Sequence, residues 1–168
     1  MIKDILVNMN LYFDGNDFVG EVQELTPPKI TPKFREYMAG GMGAPIDIPT
    51  GEVEKMESSF ALHSASKAVL KQLKVVPGSA VPFEFRGATV SNDGSKGKVV
   101  VTQRGLIKEA DYGNWKPGGD TSLKIGMTLS YYRLTIDGEV IHEIDPVNFV
   151  CTIDGVDQTK DLRDALGI

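Results

Sequence analysis

The chain has 168 residues, 41% hydrophobic and 24% charged, which is ordinary for a soluble globular protein and enough to bury a core without staples. Its formal net charge of -5 argues against nucleic-acid binding as the main role, because that role leaves a basic footprint. One cysteine excludes an internal disulfide framework or a multi-cysteine metal site, and no run approaches the roughly 20 apolar residues of a spanning helix.

Residues 1–10 place Ile2, Ile5, Leu6 and Met9 at spacings of three and four. That predicts a short amphipathic turn, an N-terminal arm docked on its own body or on a neighbour. The opening MIKDILVNMNLYFDG lacks the apolar region and small-residue cleavage site of a secretory signal, so a chain made and folded in a cytosol is expected. Residues 11–13 and 18–25 read as strands around Asp14-Gly15-Asn16. After Pro27-Pro28 a strand resumes over 30–37, with Ile30, Phe34 and Met38 on one parity and Thr31, Lys33, Arg35 and Tyr37 on the other.

The stretch 38–52, MAGGMGAPIDIPTGE, carries four glycines and two prolines, which rules out regular structure for most of it. Met38, Met42, Ile46 and Ile48 leave two readings open. One is a loop folded over the core; the other is an extended flap packed on another molecule. Residues 55–62 alternate again, with Met56, Ser58, Phe60 and Leu62 on one side. SASKAVLKQLK, 64–74, reads as a helix capped by Ser64 or Ser66 that buries Ala65, Val69, Leu70 and Leu73 and is closed by Pro77-Gly78. Residues 81–90 and 98–109 pair as a hairpin around the polar tip SNDGSKG, and 111–119 form a loop with the only tryptophan, Trp115.

The longest alternation comes next. Leu123, Ile125, Met127, Leu129 and Tyr131 fall on one strand face; Ser122, Lys124, Gly126, Thr128 and Ser130 fall on the other. Beyond Tyr131 the apolar positions become Leu134 and Ile136, which predicts a bulge or a change of sheet near Tyr132 and Arg133. Asp137-Gly138 signals a tight hairpin, and Pro146 ends the return strand through Val140, Ile141 and Ile144. TIDG recurs at Thr152 as reused turn chemistry. Cys151, near Val150 and Ile153, reads as a small buried hydrophobe. Residues 157–168 predict a C-terminal helix capped by Asp157, with Leu162, Ala165, Leu166 and Ile168 as its stripe.

About eight strands and one or two helices give a mainly β fold in a single domain, 1–168. The body is a β-sandwich or barrel with one central helix and a short C-terminal helix. Catalytic chemistry finds no support. His63 and His142 lack metal-ligand spacing, no G-x-S-x-G elbow exists, and GSKGKV is not a phosphate loop. Glu143 and Asp145 share a strand face as exposed charges. No catalytic, cofactor-binding or metal-binding residue is expected.

Five segments in order resemble one family: the major tail tube proteins of contractile-tailed bacteriophages and R-type tailocins. They are NLYFDG (10–15), LTPPKITPKFREYMAGGMGAPIDI (25–48), RGLIKEADYGNWKPG (104–118), SYYRLTIDGEVIHEIDPVNFVCTIDGVDQ (130–158) and ALG (165–167). The resemblance implies a non-enzymatic structural subunit of the virion or tailocin particle, assembled in the bacterial cytoplasm. It implies homohexameric rings that stack into a hollow tube inside a sheath, each subunit giving strands to a shared barrel. Four strands from each of six subunits would make a backbone diameter of roughly 50 Å. The implied partners are further copies of the chain, the tail sheath, a tape measure protein in the lumen, and baseplate and tail terminator proteins. In a phage genomic DNA would transit the lumen; no membrane insertion is implied. Within that frame Met38, Met42, Ile46 and Ile48, with Ile2 and Ile5 of the arm, are candidate inter-ring or inter-subunit contacts. Ser122, Lys124, Thr128 and Ser130 are candidate channel-facing residues. Two alternatives stay open: the tube of a non-phage contractile injection system, and a monomeric β-barrel that binds a small ligand.

Overall fold

Strand periodicity organises the body of the structure, a computed structural model that describes residues 5–18 and 20–168. Among the described residues there are twelve strands and two short helices. The strands of the first half are β1 (Ile5–Phe13), β2 (Asn16–Asp17), β3 (Val22–Thr26), β4 (Pro32–Tyr37), β5 (Ile46–Val53) and β6 (Glu57–Leu62). Helix α1 (Lys67–Leu70) leads into β7 (Val81–Val90), β8 (Lys96–Asp111), β9 (Leu123–Ile136), β10 (Glu139–Asp145), β11 (Val150–Ile153), β12 (Val156–Asp157) and helix α2 (Lys160–Leu166). Ten strands join one antiparallel sheet, while β4 and β5 stand apart as a two-stranded hairpin. The mainly β expectation holds.

Strand β9 is the hub. One side pairs with β8 along its length; the other pairs with β6 over Leu123 to Thr128 and with β10 from Tyr132 onward. The handover coincides with the reversal of phase, since Leu129 and Tyr132 are both buried. Its cause is a bulge: Gly105 faces Leu129 and Arg104 faces Tyr131, which leaves Ser130 unmatched. The bulge therefore lies slightly earlier than the Tyr132–Arg133 position expected from the pattern. Only glycine fits opposite it, because a Cβ on Gly105 would sit 2.0 Å from the Thr128 carbonyl oxygen and 2.8 Å from the Leu129 Cα.

The core lies between the β1–β7–β8–β9 sheet and the strands that fold over it. Phe13, Phe60, Phe83 and Phe85 fill its centre, with ring centroids of successive neighbours 4.9 to 5.3 Å apart. Leu11, Met56, Leu62, Leu123, Ile125 and Met127 complete it, each buried. Burying each such side chain contributes about 1.5–3 kcal/mol. Gln103 is also fully buried; its Nε2 donates to Met127 Sδ at 3.5 Å, while its Oε1 and the Ser58 Oγ have no hydrogen-bond partner. Three two-residue hairpins use Asp-Gly: 14–15, 137–138 and 154–155. Both residues have positive φ in each, from 51° to 81°, the geometry that follows the right-handed strand twist.

Several local expectations change. The N-terminal arm is a strand from Ile5 and not an amphipathic turn, because β7 offers it a ladder. The strand foreseen at 18–25 starts only at Val22; Phe18 is buried ahead of it. That foreseen at 30–37 starts at Pro32. Residues 46–53 form a strand with one register shift, since Pro49 and Gly51 sit where a two-stranded hairpin tolerates them. The central helix shrinks to four residues that bury only Val69, leaving Ala65 and Leu73 exposed. Helix α2 begins after Thr159 and not Asp157, and its leucines and Ile168 are exposed. Cys151 is only partly buried, against the core.

Candidate assembly surfaces

The solvent side of the sheet is a polar wall. On β9, Lys124, Thr128 and Ser130 point away from the core, and past the bulge Tyr131, Arg133 and Thr135 continue the same face. Ser122, just before the strand, donates from Oγ to Gln23 Oε1 at 3.1 Å. Neighbouring strands extend the wall with Glu84, Arg86, Thr102 and Arg104. Three of its cations have a partner in contact, while Arg133 and Lys124 only face a carboxylate in register. Arg86 pairs with Glu84 at 2.5 Å and lies over the Tyr12 ring at 4.3 Å. Arg104 lies 4.5 Å over Tyr131, whose hydroxyl donates to Glu143 at 3.3 Å. Arg133 faces Glu143 in register, and Lys108 pairs with Glu57 at 2.7 Å. The Lys108 and Lys55 ammonium groups beside it hold the Glu57 carboxyl below its ordinary range. Lys124 has Asp111 as its partner across the β8 ladder.

The second surface is an open edge. Over Ile5 to Val7, β1 pairs only with β7, and Ile5, Leu6 and Val7 are each about half exposed. Strand β3 likewise pairs only with β6. Between these two free edges lies an apolar groove lined by Leu6, Met9, Leu25, Phe85, Val99 and Val101. Ile2 lies outside the described residues.

The third surface is the β4–β5 hairpin. Register opposes Phe34 to Pro49 and Glu36 to Asp47 on one face, and Arg35 to Ile48 and Tyr37 to Ile46 on the other. Phe34, Tyr37, Met38, Ile46 and Ile48 all remain exposed. Met42, in contrast, turns into the tip: its Sδ accepts from the Ala39 amide at 3.3 Å, and its own amide donates to the Ala39 carbonyl. Periodicity left Phe34 on the apolar parity with Ile30 and Met38, because an apolar residue on an alternating strand looks like core until its partner strand is known.

Helix α2 is held by polar contacts. Arg163 Nη1 donates to the Phe149 carbonyl at 3.0 Å, to Thr159 Oγ1 at 2.9 Å and to Asp157 Oδ1 at 3.1 Å, while Nη2 pairs with Asp157 Oδ2. The buried Thr159 hydroxyl donates to the same Phe149 carbonyl at 2.7 Å. The Arg163 hydrogen bond holds the Asp157 carboxyl at about 2, below the usual 3.8. Leu162 leans on Gly51 of β5, whereas Leu166 and Ile168 face outward. A lone Arg in a short helix gave no hint of this clasp. At the far end of the body, Trp115 is exposed, with its Nε1 donating to the Tyr112 carbonyl at 3.0 Å. Among the described residues, no group of three His, Cys, Asp or Glu side chains could hold a metal ion.

Residues 3–167 match the family model for phage tail tube protein FII. The chain is 34% identical over 164 residues to the tail tube protein of Escherichia phage P2, covering 95% of each. It is 30% identical over 160 residues to the major tail tube protein of Serratia phage KSP20, covering 94% of this chain and 92% of that one. Its fold is similar to a chain of the PVC sheath-tube complex, an extracellular contractile injection system in the extended state, at a TM-score of 0.57. That match has 7% identity and covers 76% of this chain and 87% of the other. A chain of the PVC sheath/tube terminator matches at a TM-score of 0.55 and 7% identity, covering 76% of this chain and 92% of that one.

Proposed function

This chain belongs to the phage tail tube protein FII family, and from that premise we propose that it is the structural subunit of the inner tube of a contractile tail or tailocin. Residues 1–168 act as one tail tube domain. Six copies close into a ring, rings stack, and the resulting hollow conduit lies inside a sheath between baseplate and terminator. A tape measure protein occupies the lumen during assembly, and DNA passes through it in a phage. The subunit carries out no catalysis and takes no cofactor.

The observation that carries this reading is the division of surfaces. One sheet face is a polar wall whose arginines sit beside carboxylates or aromatic rings, while the apolar hairpin residues find no cover in their own chain. Cations paired as Arg86 and Lys108 are suit a channel for phosphate-bearing cargo, because free ones would capture the backbone and slow its passage. Ser122, Lys124, Thr128 and Ser130, continued by Tyr131 and Arg133, therefore line the channel. Met38, Ile46 and Ile48 reach a neighbouring subunit or ring, and the Ile5 edge pairs with an adjacent copy.

A ligand-binding monomer fits less well, since Phe60, Phe83 and Phe85 fill the interior where a ligand would sit. The tube of a non-phage injection device is the second reading, favoured by the likeness in fold to the PVC chains. Negative-stain microscopy at rising protein concentration tests the class: rings or tubes are expected. A persistent monomer would sink the proposal.

A further inference from the structure

One face of the β4–β5 hairpin is at odds with its own stability. Glu36 and Asp47 are direct cross-strand partners, both exposed, and like charges in that position weaken a sheet. Neither takes part in an ion pair among the described residues. Beside them on the same face lie Phe34 and Pro49, also exposed. The hairpin thus presents an apolar patch with two carboxylates at its outer end.

The complementary surface exists elsewhere on the chain. Lys67 opens α1, Lys71 caps its C-terminal end and Lys74 follows just beyond the turn, and all three are exposed. The Lys71 amide donates to the Lys67 carbonyl at 3.1 Å, so the first two sit one above the other on the helical turn. No ion pair among the described residues uses any of the three. Val69 anchors the opposite side in the core, which fixes the lysines outward. Val75 and Val76 adjoin them, 95% and 67% exposed.

We propose that the Phe34–Pro49, Glu36–Asp47 face of the hairpin docks on the Lys67–Lys71–Lys74 ridge of a second copy of this chain, with Phe34 against Val75 and Val76. The inference rests on the tube reading and names the acceptor for the hairpin. Acid meets base and apolar meets apolar, and docking relieves the repulsion between the paired carboxylates. Donor and acceptor patches differ, so the contact is heterologous and propagates into rings or stacks instead of ending in a two-fold dimer. Being electrostatic and at the surface, it weakens with salt, over a screening length of roughly 8 Å at physiological ionic strength.

The test is a charge swap scored by microscopy and sedimentation, with circular dichroism as a check on folding. Glu36→Lys/Asp47→Lys and Lys67→Glu/Lys71→Glu are each expected to raise the concentration needed for tubes by about tenfold or more. Combining all four changes is expected to restore assembly close to wild type. Wild-type tubes with both reversal variants unaffected, or a combined variant no better than either parent, would overturn the inference alone. A wild type that makes no tubes would overturn the tube reading and this contact with it.

Discussion

The sheet body and the β4–β5 hairpin use the same vocabulary of alternating strands to opposite ends. In the body, Phe83 and Phe85 alternate with polar residues and vanish into a core shared by several strands. In the hairpin, Phe34 alternates with charged neighbours on one face and Tyr37 on the other, yet both stay about half exposed. A lone two-stranded ribbon is at best marginally stable in water. Identical patterning therefore builds a shared core in one region and an exposed apolar ribbon in the other.

The contrast is sharpest for two phenylalanines. Phe83→Ala is expected to destabilise the subunit by about 3–5 kcal/mol, read as a shifted urea midpoint. Phe34→Ala should leave that midpoint within about 0.5 kcal/mol while reducing tube formation. Equal losses at the two sites would erase the distinction. Next in size, Gly105→Ala drives a methyl into the Thr128 carbonyl, and a loss of about 1–3 kcal/mol is expected from the backbone shift it forces. A neutral result would mean that β8 and β9 can separate at the bulge without penalty.

Two smaller effects refine the picture. Gln103→Met removes a buried carbonyl oxygen without a partner, and stability should stay level or rise by about 1 kcal/mol; a clear loss would show that the amide is needed. Helix α2 is intermediate between the two regions, attached to the body but through charge. Asp157 has a depressed folded pKa, so its contribution is fully present above about pH 4, where the unfolded carboxyl is ionised, and is lost as pH falls towards 2. Hydrogen exchange in 160–166 should rise over that window before the core strands open. Arg163→Ala should produce the same release at neutral pH.

Much of the body was legible because its side chains answer to local rules. Period two placed Leu123 through Leu129 inside, and Asp-Gly marked the turns from backbone geometry alone. The phase reversal was visible, but not its position, since that depends on where Gly105 of another strand makes room. The β4 half of the hairpin was legible as a strand over 30–37, but the β5 half was not, because glycine and proline weigh against a strand until register shows which positions escape the ladder. The short helix failed for the opposite reason: its propensity was real, yet only Val69 is fully buried, with Ala68 and Leu70 packed partly against the core. Charge partners such as Arg163 with Asp157, or Glu36 opposite Asp47, are matters of register and docking that no window of sequence contains.

The open edge of β1 has a consequence for the life of the free subunit. Ile5 and Leu6 pair with β7 on one side, and among the described residues no strand pairs with Ile5, Leu6 or Val7 on the other. An edge of that kind is a template for pairing with other strands, so off-pathway fibres are expected to compete with ordered growth when monomer accumulates. Synthesis of the subunit must then be matched to the rate at which growing ends consume it, which makes stoichiometry part of the design of the particle.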